Sequence, residues 1–201
     1  MKRIEIHPVN PQPRLIRQVA EQFQTGALVA LPTDASYVLA CHLEDRTAVD
    51  RMRQLRGIDE KHLLTLLCQD LSELSQYAQV DNRQFRFLKE WTPGAYTFIL
   101  PATREVPRRL MHPSRKTVGL RVPEAPIVQA LLAVLCASLI LPGDEDPLSD
   151  PDDIEDRIGK RIDLLVDGGA GQLEATSVID VTGDEPVIQR VGLGPVEAML
   201  R

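Results

Sequence analysis

Short apolar runs recur along the chain, some alternating and some at helical spacing, with Gly, Pro and Asp between them. Strands are predicted at Ile4 to Ile6, Ala27 to Leu31, Leu63 to Cys68, Tyr96 to Leu100, Thr117 to Val122 and Ser138 to Leu141. Three more follow at Asp163 to Val166, Ser177 to Val181 and Val187 to Val191. Helical spacing puts Leu15, Ile16, Val19 and Phe23 on one stripe, in a helix that starts from Asn10-Pro11, runs to Gln24 and closes at Gly26. Further helices are predicted over Arg46 to Leu55, Asp70 to Gln79, Asp81 to Trp91, Ala125 to Leu135 and Asp150 to about Gly159, those from Asp70 and Asp150 capped by the aspartates. Strands and helices alternate without repeat or linker, which implies one α/β domain, residues 1–201, around a mixed and mainly buried sheet.

Two stretches do not follow the pattern. From Ala130 to Leu141 the chain is apolar except for Ser138, yet a helix end, a connection and a strand start must fit there. Either one long buried helix runs through, or the residues of a turn are absent near Leu135-Cys136. The second stretch is "LPTDASYVLAC", residues 31 to 41, where a core strand ends in Pro32-Thr33-Asp34 and leads to Ser36 and Tyr37 before turning apolar at Val38. That is either a polar turn or a site, since ligand sites favour the carboxyl ends of α/β strands.

Composition narrows the choice. A 201-residue chain that is 43% hydrophobic supports a substantial core. A net charge of -6 argues against a surface coated in base for non-specific DNA binding. With no 18-residue apolar stretch and no leader pattern at Met1 to Pro8, the expectation is a soluble, cytoplasmic protein with no membrane partner. Cys41, Cys68 and Cys136 are odd in number and set among apolar residues, which reads as reduced core thiols. Only five of the 23 cationic residues are lysines, and arginine is the side chain that grips oxyanions through paired N–H donors.

Charge is unevenly placed. Arg104, Arg108, Arg109, Arg115, Lys116 and Arg121 face one acid, Glu105, which gives either a solvated loop or a basic cleft. Arg121 differs from the rest because it lies in the apolar pattern Val118 to Val122. A buried guanidinium needs an anion, either a carboxylate of the protein or a ligand's phosphate or carboxylate. Asp144 to Asp156 holds eight acids in thirteen residues, without the Gly and terminal Glu of an EF-hand, and reads as a solvated loop feeding a helix N-terminus. Phosphate loop, dinucleotide fingerprint, nucleophile elbow and zinc spacing are absent, so no resident metal is expected.

Five motifs in order resemble the YrdC/YciO family, over about Ile4 to Gly194. They are Pro32 to Ala40, Thr92 to Leu100, Thr117 to Pro123, Thr176 to Asp180 and Arg190 to Gly192. Asp70 to Leu74, Val106 to Leu110 and Ile140 to Gly143 are similar to the YciO branch. The resemblance implies a twisted mixed sheet with flanking helices and a concave basic cleft that binds a nucleotide and, in some members, RNA. It implies catalytic roles for Arg56, Lys61 and Arg121, and nucleotide or substrate contacts from Thr33, Ser36, Tyr37, Thr97, Ser138, Thr176, Ser177 and Arg190. The implied activity is that of a threonylcarbamoyl-AMP synthase or a related enzyme of t6A tRNA modification, a nucleotidyltransferase using ATP with Mg2+, L-threonine and bicarbonate. The alternative is an RNA-binding module of the translation apparatus, taking tRNA or double-stranded RNA without synthase activity. Three motifs depart from the family, and in the first the glycines after Tyr37 are Val38 and Ala40. In Arg56-Gly57-Ile58 the second basic position is Ile58, and S-T-S-A-N is reduced to Cys136 to Ile140, where Ser138 survives and no asparagine does.

Overall fold

The computed structural model describes residues 1–135 and 147–201, and the backbone of 139–142 between them. The chain runs β1 (Lys2–Glu5), α1 (Pro13–Gln24), β2 (Val29–Leu31), β3 (Val38–His42), α2 (Arg46–Arg56), β4 (Leu64–Leu67), α3 (Leu71–Tyr77) and α4 (Asn82–Trp91). It continues with β5 (Tyr96–Pro101), β6 (Thr117–Arg121), α5 (Pro126–Leu135), β7 (Leu139–Pro142), α6 (Pro151–Ile158), β8 (Leu164–Asp167), β9 (Ser177–Asp180) and β10 (Val187–Arg190). Among the described residues ten strands form one mixed sheet, ordered β1-β8-β2-β3-β7-β4-β6-β5-β9-β10. This is a single α/β domain.

Local chemistry sets the element ends. Asp45, Asp70, Asp81 and Asp150 each accept a backbone N–H in the first turn of the helix that follows, and Asp81 forms a capping box with Gln84. The expected start of α1 at Asn10 moves to Pro13. There the His7 ring accepts the N–H groups of Val9 and Asn10, and the Gln12 side chain accepts that of His7, so the chain turns before the helix begins. Strand β3 is an addition to the predicted set, pairing with β2 and β7. A continuous helix through Ala130 to Leu141 is not formed, because α5 ends at Leu135 and β7 pairs with β3 and β4. The connection itself, with Cys136 and Ser138, lies outside the described residues.

Side chains alternate across the sheet, so each strand feeds two layers. On one side Leu28, Ala30, Leu39, Cys41, Leu64, Leu66, Phe98, Leu100, Leu120 and Ile179 pack with Met52, Leu74, Leu88 and Ile154, from α2, α3, α4 and α6. On the other side Val29, Leu31, Val38, Ala40 and Leu67 pack under α1 and α5. That second layer ends at Leu67. Beyond it the same face carries Gly119 and Arg121 on β6, Thr97 and Ile99 on β5, Val178 on β9 and Arg190 on β10, as the pairings of Leu67 with Arg121, Ile99 with Gly119, Thr97 with Val178 and Arg190 with Val178 require. The half of this face beyond Leu67 carries Thr97, Arg121 and Arg190 of the sequence-predicted site, with Thr65, Thr97 and Arg121 buried there.

Candidate functional site

Pro32 ends the β2 ladder because it has no N–H to give. The turn it starts is closed by Thr33, whose hydroxyl donates to the Ser36 carbonyl at 2.7 Å and accepts the Ala35 N–H at 3.0 Å. Its remaining lone pair accepts from Arg121 Nη2 at 2.9 Å. All of that hydroxyl's hydrogen-bonding capacity is thereby used.

Arg121 ends β6 and is 2% exposed. Its Nη2 also donates to Asp34 Oδ1 in an ion pair, and Asp34 Oδ2 accepts the Glu124 N–H at 2.9 Å. The anion that the sequence demanded is thus Asp34, a carboxylate of the protein. The Arg121 Nε–H is buried with no hydrogen-bond partner among the described residues. An unmet donor of a charged group costs about 1–3 kcal/mol or more.

A second cluster lies on the outer strands. The Thr97 and Thr176 hydroxyls are 2.8 Å apart, and Arg190 donates from Nε and Nη2 to the Thr176 carbonyl at 3.1 and 2.9 Å. The segment before β9 joins the clusters: Gln172 N–H donates to Ala35 O, and Ser36 N–H to Glu174 O.

The remaining predicted residues are placed as follows. Ser36 and Tyr37 are buried. The Tyr37 hydroxyl donates to the Gly169 carbonyl at 2.6 Å and accepts the Gly168 N–H at 3.1 Å, fixing the loop after β8, and burial pushes its ionisation up to about 12. The Ser177 hydroxyl donates to Gly194 O and accepts the Gly192 N–H, so it clasps the C-terminal segment on the opposite face from Thr176. Arg56 closes α2 and Lys61 stands exposed in the next loop, and neither is a partner of Thr33 or Arg121. Ile58, at the altered basic position, packs against the core. Ser138 lies outside the described residues. Asp34 and Glu124 were not singled out by the sequence reading. The signal for Asp34 was available, since a strand-embedded arginine needs a carboxylate and one directly follows Thr33.

The charged runs separate as well. Arg104, Arg108, Arg109, Arg115 and Lys116 are exposed, and Arg109 donates to Glu44 O while Arg53 donates to Arg109 O, so this loop packs beside the end of α2. In the acidic run Asp150 caps α6, Asp152 and Glu155 pair with Arg3, and Asp153 pairs with Arg157, while 144–146 lie outside the described residues. Cys41 and Cys68 are buried, and burial pushes the Cys41 thiol up to about 12. Next to the Arg121 exit strand is a cavity of about 600 Å³ lined by Leu71, Lys89, Pro93, Val122, Glu124 and Pro126 among others. No helix among the described residues is long and apolar enough to cross a membrane.

The family model Sua5/YciO/YrdC, described as "Telomere recombination", matches residues 21–192. The chain belongs to the Sua5/YciO/YrdC family. It is 50% identical over 200 residues to the Escherichia coli K12 protein named "Uncharacterized protein YciO", covering 97% of each chain. The crystal structure of E. coli YciO superimposes with a TM-score of 0.94 at 47% identity, covering 99% of this chain and all of that one. Relatives named threonylcarbamoyl-AMP synthase are more distant, one from Halorhodospira halophila being 29% identical over 177 residues, or 86% of this chain and 92% of that one. The structure of Pyrococcus abyssi Sua5 complexed with L-threonine matches with a TM-score of 0.90 at 25% identity, over 99% of this chain and 60% of that one. Family membership and the mixed α/β fold therefore agree with the motif reading, and the YciO branch is the nearer of the two.

Proposed function

We propose that the chain is a nucleotide-binding enzyme of threonylcarbamoyl-AMP synthase type, working on the polar half of the sheet face that carries Thr97, Arg121 and Arg190. The observation that carries the reading is the buried guanidinium of Arg121, which meets the Thr33 turn across the sheet and leaves its enclosed Nε–H unmet. Its likeness to the P. abyssi Sua5 structure, named as an L-threonine complex, supports the substrate class. In this reaction threonine's amine attacks bicarbonate and water leaves, giving a carbamate. A carbamate oxygen then attacks the α-phosphorus of ATP and pyrophosphate departs. No side-chain nucleophile is needed, so catalysis rests on positioning and on neutralising charge. Arg121 and Arg190 serve the acid groups from the sheet, Arg56 and Lys61 serve the phosphates from the α2 end, and the hydroxyls of Thr97 and Thr176 line the floor. Mg2+, which would arrive with ATP, would supply further neutralisation of the phosphate charge, and no side chain of this face is assigned to hold it.

The test is pyrophosphate release by the purified chain with ATP, bicarbonate and L-threonine. Release that depends on threonine, with threonylcarbamoyl-AMP identified by mass, is the expected result. No turnover under these conditions removes the reading.

One observation favours a second reading, binding of tRNA or double-stranded RNA without synthesis. Five cations between β5 and β6 are exposed, Arg109 among them meets Arg53 of α2 and Glu44 before it, and Ile58 after α2 has gone to the core. That reading expects tRNA affinity to fall with salt by several counterions' worth. Binding indifferent to salt, or none, counts against it.

A further inference from the structure

Arg121 presents a difficulty for any ligand. It is 2% exposed, its Nε is fully enclosed, and the Thr33 hydroxyl beside it is saturated. An incoming acid reaches the Nε and Nη2 edge of this guanidinium only if something that now covers that edge moves. The contacts single out what moves. Ser36 and Tyr37 are buried and tied to Glu174, Gly168 and Gly169. Asp34, by contrast, is half-buried and, among the described residues, is held by Arg121 Nη2 and the Glu124 N–H.

The present arrangement also fits poorly in one respect. Nε–H and one Nη2–H of a guanidinium form a parallel fork that a carboxylate can bridge with both oxygens. Asp34 supplies one oxygen to Nη2 and spends the other on Glu124, so Nε–H stays unmet. A free carboxylate without that second obligation fills both prongs.

We propose that Asp34 is a stand-in for a ligand carboxylate. It neutralises Arg121 while the site is empty, and on binding it pivots on the Glu124 N–H, releases Nη2 and gives the fork to the incoming acid group. Asp34 is thus a positioning and specificity residue acting through Arg121. It admits planar carboxylates shaped like its own and makes every ligand compete with an internal anion. The inference rests on the reading that Arg121 meets a substrate acid.

The test is Asp34→Asn, which keeps the shape and the acceptor for Glu124 and removes the charge. The probes are L-threonine, acetate and inorganic phosphate, each titrated alone by calorimetry and by thermal melting. The expected result is a lower melting temperature without ligand and an affinity for acetate and threonine raised about tenfold over the parent chain. Carboxylate affinity that is unchanged or weaker overturns the proposal, because it makes Asp34 a fixed brace. A gain for phosphate alone overturns the carboxylate assignment. Should Asp34→Asn fail to fold, refolding in acetate against chloride decides: recovery only in acetate supports exchange, and equal failure in both overturns it. Acetate is no substrate for a synthase, so a gain for acetate without pyrophosphate release by the parent chain leaves the exchange standing while the synthase reading falls. Release by the parent chain with no gain in the variant does the reverse.

Discussion

Arg121 Nη2 donates to the Thr33 hydroxyl at 2.9 Å across 88 positions of sequence, which ties the last residue of β6 to the turn that leaves β2. The bond belongs to a network, so its members should not behave independently. Thr33→Val removes three hydrogen bonds at constant shape and is expected to cost about 1–3 kcal/mol. Arg121→Met strands Asp34 and is expected to cost about 3–5 kcal/mol. Together they should cost at least about 0.5 kcal/mol less than the sum, as coupled neighbours do. Urea denaturation of the four proteins checks this, and simple additivity would show that the two groups do not share a network.

Tyr37 tests the other anchor of the same turn. Its buried hydroxyl bridges Gly168 and Gly169, so Tyr37→Phe leaves a donor and an acceptor unmet and should cost about 1–3 kcal/mol. Burial raises its folded ionisation from 10.0 to about 12. The unfolded chain then loses the proton first. Tyr37's contribution is therefore intact below pH 10 and declines between pH 10 and 12. Ultraviolet titration of the folded protein should show a phenol ionising near pH 12 that is lost in Tyr37→Phe. Three tyrosines all ionising near pH 10 would contradict the burial assigned to it.

The fold was legible where one residue pattern dominates. Runs such as Leu64 to Leu67, buried on both faces, and caps such as Asp81 with Gln84 reveal themselves locally. Strand β3 did not, because Ser36 and Tyr37 before it and His42 at its end blur the apolar run, and it is made a strand by partners far off in sequence. The same limit applies to the site. The resemblance named Thr97, Arg121 and Arg190 without saying which face they share, and strand alternation puts the three on one face, which Thr33 and Thr176 reach from adjoining segments. That Tyr37 and Ser177 spend their hydroxyls on backbone was not legible, since their acceptors, Gly169 and Gly194, carry no side chain to mark them.

Asp163 links three elements from outside the site. Its carboxylate accepts the Leu28 N–H at 2.8 Å and pairs with Arg51 at 3.0 Å. Burial pushes its ionisation up, but the Arg51 and Leu28 donors outweigh this and hold it below the usual carboxylate range. The unfolded state therefore binds the proton more readily. The stabilisation is complete above the unfolded value and disappears as pH falls through the folded one. Asp163→Asn should then be less stable at neutral pH, by under about 1 kcal/mol given the exposure of the pair, and equal to the parent chain in acid. Melting curves across pH decide it, and a gap that widens on acidification would reverse the assignment.

Gly119 is buried on β6 on the same face as Arg121, and its lack of a side chain has a measurable consequence. A Cβ there would stand 2.6 Å from Thr65 Oγ1, 3.1 Å from the Leu64 carbonyl and 3.3 Å from Leu63 Cδ2. The first contact is closer than atoms tolerate, and Thr65 is itself 1% exposed with little room to turn. Gly119→Ala should therefore cost about 1–3 kcal/mol through overpacking, although the strand backbone suits alanine. Adding Thr65→Ala removes the closest atom and should recover part of that loss. Recovery stays partial because the Leu64 carbonyl belongs to β4, whose register with β6 pairs Thr65 with Gly119 and cannot give without loosening Leu67 from Arg121. If Gly119→Ala proves neutral, β4 and β6 are less closely held than this register implies, and the placement of Arg121 over the face loosens with them.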